Sequence, residues 1–188
     1  MKIHVTRAYL DLARVVIDAQ IHGNPDAENS EDVIFALMSC TYIYSFMALT
    51  AFSSSHLHEI WIQNPSKLKI KYKNCDTFEQ LMAGPLKELK VALNELSTQL
   101  GITPIHKSKP AKWRELNEML KGFRDYFVHP NPEAFHNHVQ ATVSLKWAFP
   151  SKLASEIIGY YFQETGKEIP SWVSKSSISC RGFNYVGT

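Results

Sequence analysis

The sequence is short of several features that define common functional classes. It has three cysteines, Cys40, Cys75 and Cys180, in no C-x-x-C pair. Neither a disulfide framework nor a thiolate zinc site can be built from that set, and a reducing, cytoplasmic setting is expected. Arg7, Asp11, Arg14 and Asp18 interrupt the first twenty residues, leaving no uncharged run of the signal-peptide kind. There is no P-loop, no G-x-S-x-G elbow and no dinucleotide-binding glycine pattern. The pair of Glu-x-x-His repeats that a di-iron bundle requires is also missing. Neither a cofactor nor a metal is expected. The 9 prolines and 8 glycines are scattered, and apolar residues reach 45% against 20% charged, which excludes disordered, collagen-like and low-complexity classes. What is left is a globular chain of 188 residues, read as one domain over residues 1–170 followed by a loosely held serine-rich tail at 171–188.

The net charge of +2 conceals a segregation. Residues 64–124 hold 12 Lys/Arg against 6 Asp/Glu, while the remainder is acidic by four charges. A basic segment of this kind is compatible with a face that meets an anion such as nucleic acid, although a solvated basic face is the commoner reading.

Helical periodicity dominates. Residues 6–22 place Tyr9, Leu12, Val16 and Ala19 on one stripe, closed by Gly23-Asn24-Pro25. Ser30 offers an N-cap to a helix with no breaker before Asn64-Pro65. Within it, the 23 residues from Val33 to Ser55 carry no charge, which is long enough to span a bilayer. Seven of them are Ser or Thr, and no Lys or Arg lies within ten residues of either end to set a topology. The segment is therefore expected at the centre of a helical bundle, away from any membrane. Thr77-Phe78-Glu79-Gln80 fits a capping box, Gly84-Pro85 kinks or restarts the helix, and Leu86, Leu89, Leu93, Leu96 and Leu100 keep the period up to Gly101. Trp113, Leu116, Leu120, Phe123 and Phe127 mark a fourth helix ended by Pro130, and residues 151–165 a fifth between Pro150 and Gly166. The fold class expected is a mainly α, single-domain bundle of about five helices.

One run breaks that pattern. Lys67-Leu68-Lys69-Ile70-Lys71-Tyr72-Lys73 alternates strictly and predicts a short strand with lysines on one face. Val139, Ala141, Val143, Leu145 and Trp147 alternate similarly, so a minor two-stranded β element is expected. The lysines either guard a sheet edge or attract RNA.

The stretch LNEMLKGFRDYFVHPNPE, residues 116–133, carries the most specific pattern. Arg124 precedes His129 by five positions at the end of an amphipathic helix, with Asp125 directly after the Arg and a proline directly after the His. This resembles the R-x4-6-H signature of the HEPN superfamily, all-α bundles that include many metal-independent endoribonucleases. The likeness covers about 18 residues in sequence and, in architecture, residues 30–165. It implies a ribonuclease of a defence, stress or toxin–antitoxin system, with Arg124 and His129 catalytic and with RNA and an antitoxin protein as partners. It also implies a homodimer in which two such helices build a shared site. Asp125 departs from the Asn that is common in the family, and is assigned to orienting the His129 imidazole.

Helical spacing gives these residues a second meaning. Glu118, Gly122, Asp125 and His129 share one stripe, and Asn117, Lys121, Arg124 and Val128 the next. Asn117 and Lys121, with Lys67, Lys69, Lys71 and Lys73, are the expected RNA contacts, and Gly122 is the gap through which a partner helix can approach. The same residues also fit a helix-terminal His interacting with the helix dipole beside a solvated Arg. The alternative function is accordingly a non-catalytic helical dimerisation or nucleotide-binding module. The pairs His56-x-His58 and His136-x-His138 would chelate an ion on a strand, but on a helix that spacing points them apart. Trp61, Trp113, Trp147 and Trp172 are assigned to core or interface positions.

Overall fold

The computed structural model describes residues 5–22, 31–123 and 149–174. These residues are mainly helical, with no strand among them: α1 (Val5–His22), α2 (Glu31–Gln63), α3 (Pro65–Lys71), α4 (Phe78–Ala83), α5 (Leu89–Leu100), α6 (Ile105–Ser108), α7 (Pro110–Phe123), α8 (Phe149–Glu164) and α9 (Ser171–Ser174). Among the described residues no helix is long and apolar enough to cross a membrane.

α2 is the central element, touching α1, α3, α4, α5, α7 and α8. Its near-uniform hydrophobicity is explained by those neighbours, since a helix covered on many sides needs no polar face. Leu49, Phe52 and Leu57 enter a common core with Leu10 of α1, Leu93 and Leu96 of α5, Leu116 and Met119 of α7, and Leu153, Ile157 and Ile158 of α8. Of the hydroxyl side chains inside α2, Ser53 Oγ returns to the helix backbone, donating to the Thr50 carbonyl at 3.1 Å, whereas Ser45 Oγ and Thr50 Oγ1 are buried without a hydrogen-bond partner among the described residues.

The buried face of α1 is rotated from the expected one. Leu12 is exposed and Tyr9 half-buried, whereas Thr6, Leu10, Ala13 and Arg14 are buried. The alternative stripe wins because Arg14 is drawn inward by acceptors on distant elements. Its Nη1 donates to the Trp172 carbonyl at 2.5 Å, and its Nη2 to the Val173 carbonyl at 2.8 Å and Ser155 Oγ at 3.0 Å. Asp11 Oδ1 lies 3.4 Å from Nη1. Burial lowers the guanidinium pKa and Asp11 opposes that shift, yet an arginine starts so high that it keeps its charge. The start of the serine-rich tail is thereby tied into the bundle, and Val173 is buried.

No strand forms at residues 67–73: the run up to Lys71 belongs to helix α3, Tyr72 caps it and Lys73 lies in the turn that follows. Pro65 occupies its first turn, where a missing N–H costs nothing and the ring presets φ. One residue, Leu68, is buried in the core, while Ile70 is 73% exposed, so the alternation never sorts into two faces. The run at 139–147 lies outside the described residues.

Local signals fix the next elements. The Thr77 capping box forms: Gln80 N donates to Thr77 Oγ1 at 3.2 Å, and Gln80 Oε1 accepts from Thr77 N at 3.3 Å and Asp76 N at 2.7 Å. At Gly84 a Cβ would meet the Gln80 carbonyl at 3.0 Å, and the helix stops there. Leu86 is buried in the following turn and α5 begins at Leu89. Gly101 closes α5 in the left-handed region at φ 69°, with Ile102 N donating to the Ser97 carbonyl at 3.0 Å. The proline-flanked loop after it contains α6, anchored by buried Ile105.

A second buried charge joins α3 to α5. Glu95 accepts from Lys71 Nζ, from Tyr72 Oη at 2.8 Å and from Gln99 Nε2 at 2.7 Å. Nearby, Tyr161 of α8 donates to the Leu93 carbonyl at 2.6 Å and lies 3.0 Å from Ser97 Oγ; burial raises its pKa well above the usual 10.

Candidate functional site

α7 is the element that leads into the Arg124–His129 motif. Leu116 and Met119 are buried against α2 and α8, which turns Glu118 and Lys121 outward. Asn117 is half-buried, and its Oδ1 is fully buried with no hydrogen-bond partner among the described residues. An orphan acceptor costs about 1–3 kcal/mol relative to a satisfied one, so its retention calls for an explanation. Gly122 lies in the last turn of α7. Arg124, Asp125 and His129 lie outside the described residues, as do His136 and His138.

The four lysines of the basic run do not form one cationic face. Lys71 is held by Glu95, whose hydrogen bond raises the ammonium pKa, and Lys69 Nζ sits 5.3 Å from the centre of the Trp61 ring. Lys67 and Lys73 are exposed. The helical form of α3 is the physical reason: it points Lys71 at α5 while its neighbours face elsewhere.

The histidines are engaged locally. His56 Nδ1 donates to the Phe52 carbonyl at 3.0 Å and its ring packs on Phe52, while His58 packs against Phe78 with centroids 4.8 Å apart. On α2 the two rings point apart, as their spacing on a helix requires. Among the described residues no three His, Cys, Asp or Glu side chains converge as a metal site would require.

A groove of about 600 Å³ runs along α8, and sequence reasoning did not find it. Its floor is the α8 stripe Ser151, Ser155, Gly159 and Gln163, each four residues after the last. Ile105, Lys109 and Lys112 form one wall, and Arg14, Ile169 and Val173 the other. Small residues at that spacing leave a trench along a helix, and this is the signal by which the sequence could have located it. Lys112 lies 2.9 Å from Glu115 and 2.7 Å from Glu156; the second is a close charge contact without hydrogen-bond alignment. These carboxylates, Glu156 first, raise the Lys112 pKa. Lys109 Nζ lies 5.6 Å from the Tyr160 ring centre, and Tyr160 Oη donates to the Thr103 carbonyl.

Comparisons with protein-family models, with curated proteins and with solved structures give no match to this chain. Its chemistry therefore has to be read from its own residues.

Proposed function

We propose that the chain is a HEPN-like, metal-independent endoribonuclease acting as a homodimer in the cytoplasm, in a defence, stress or toxin–antitoxin setting. The observation that carries this reading is Asn117 Oδ1 on α7, buried without a hydrogen-bond partner among the described residues and seven positions before Arg124 in the sequence, the spacing of one helical stripe. A buried acceptor without a donor suits a site that receives its donor from a ligand, and the 2′-OH of a ribose flanking the scissile one is such a donor. In this reading His129 removes the 2′-OH proton and protonates the leaving 5′-oxygen. Arg124 stabilises charge on the phosphorane, Asp125 holds the imidazole, and Lys121 draws the strand electrostatically.

RNA incubated in EDTA with wild-type protein should be cut to 2′,3′-cyclic phosphate ends. His129→Ala and Arg124→Ala should each lower the rate about 10²-fold or more. Asn117→Leu should lower activity while leaving stability equal or higher, because it deletes an unsatisfied acceptor. Gly122→Leu should weaken the dimer seen by light scattering. Equal cleavage by wild type and His129→Ala, or none by either across a broad RNA panel, would turn the reading to the non-catalytic dimerisation or nucleotide-binding module.

A further inference from the structure

We infer that the groove along α8 binds a small amphiphilic phosphate ester, with its phosphate near the start of α8 and its apolar body against the second half. The volume of about 600 Å³ falls inside the roughly 300–1,000 Å³ range of small-molecule sites. From Ser151 to Gln163 the floor runs roughly 18 Å at the α-helical rise, so the groove is elongated.

The charge on its lining selects the sign of the ligand. Among the described residues four cationic side chains, Arg14, Lys109, Lys112 and Lys152, line it against one carboxylate, Glu156. Two of the four are already used. Arg14 is bound to the Trp172 and Val173 carbonyls and to Ser155, and Lys112 is held between Glu115 and Glu156. Lys109 and Lys152 have no acidic partner among the described residues, and both are exposed on the rim. With Lys152 at the start of α8, Lys109 farther along over Tyr160, and four cations against one carboxylate on the lining as a whole, the groove favours a phosphomonoester, which carries up to two negative charges near neutral pH, over a single carboxylate. A cationic ligand would be repelled.

The polarity of the lining selects the orientation. Ser151, Lys152 and the Lys112–Glu156 pair lie on the first half of the groove. The second half is built from Gly159, Tyr160, Ile105 and Ile169, with Lys109 over the Tyr160 ring as its one cation among the described residues. A Cβ at Gly159 would sit 3.9 Å from both Ile169 Cδ1 and Val173 Cγ1, so an apolar surface surrounds the bare backbone at that point. Apolar burial here would supply affinity while the cations fix the direction of binding.

This inference is independent of the ribonuclease reading, since it uses no residue of the Arg124–His129 motif. Isothermal titration of the full chain with adenosine monophosphate, phenyl phosphate, adenosine and inorganic phosphate tests it. The first two should bind and the last two should bind at least tenfold more weakly. Lys152→Glu, which reverses a rim charge, and Gln163→Trp, which fills the apolar end from an exposed position, should each weaken adenosine monophosphate about tenfold, which is 1.4 kcal/mol. Both variants should keep the wild-type melting temperature. Failure of both phosphomonoesters to bind overturns the proposal. Binding that both substitutions leave unchanged, or adenosine or inorganic phosphate binding as tightly as the nucleotide, also overturns it.

Discussion

Arg14, in the corner where α1 meets α8 and α9, is 2% exposed, and Glu95, in the corner where α5 meets α3, is 3% exposed. Both are charges held inside the bundle, and they are compensated in different ways. Arg14 spends its donors mainly on backbone carbonyls of Trp172 and Val173, about 160 positions away in the chain. Glu95 takes its donors from side chains, Lys71, Tyr72 and Gln99, of which Lys71 is half in solvent. Backbone acceptors cannot titrate or rotate out of the way, so the Arg14 corner is unforgiving of substitution, and its main partners do not change with pH although Asp11 also lies 3.4 Å from Nη1. The Glu95 corner can lose one partner and keep others, and it responds to acid.

The largest effect should come from Arg14. Arg14→Met strands two carbonyls in the interior and should cost about 2–4 kcal/mol in urea unfolding, with Arg14→Lys recovering part of it. A cost no larger than that of Glu95→Gln would break the contrast drawn between the two corners.

Glu95→Gln should cost less, about 1–2 kcal/mol at neutral pH, because two of its three donors can still be satisfied. Burial pushes the Glu95 carboxyl upward, but the hydrogen bonds from Lys71, Gln99 and Tyr72 outweigh it and leave the pKa below its ordinary 4.5. A folded value below the unfolded one means that the stabilisation is fully present above 4.5 and is lost as pH falls from there through the folded pKa. Unfolding of the wild type should therefore steepen in this acid window relative to Glu95→Gln. Parallel acid limbs for wild type and Glu95→Gln would remove Glu95 as the responsive group.

Smaller changes sharpen the picture between the corners. Gly101 and Gly166 both adopt the left-handed conformation, at φ 69° and 66°, and an Ala at either should cost about 1 kcal/mol. Thr77→Ala, which opens the capping box before α4, should also cost about 1 kcal/mol. At the low end, Lys69→Ala removes only a surface ring contact and should stay within about 0.5 kcal/mol of wild type by thermal melting.

Legibility varied with the range of the interactions involved. The capping box at Thr77, the glycine stop at Gly101 and the breaker at Asn64-Pro65 each involve a few neighbouring residues, and each is found where the sequence places it. The strand reading of residues 67–73 failed because alternation of Lys with Leu and Ile specifies a strand only when a partner strand and a face to bury are supplied. With Pro65 at its first turn and only Leu68 reaching the core, a helix satisfies the same residues. Of the candidate site, Asn117, Lys121 and Gly122 are found on α7 as their spacing predicts, but nothing in that spacing foretells that the Asn117 oxygen is buried without a donor.

The sequence by itself determined the helical character of the chain, the reach of α2 and the ends of several helices, because these depend on periodicity and on caps a few residues long. Tertiary structure decided which face of α1 is buried, where Arg14 and Glu95 find their partners, and that small residues spaced by four on α8 open into a groove. Those outcomes depend on groups separated by tens to more than a hundred residues, and only packing brings them within hydrogen-bonding distance.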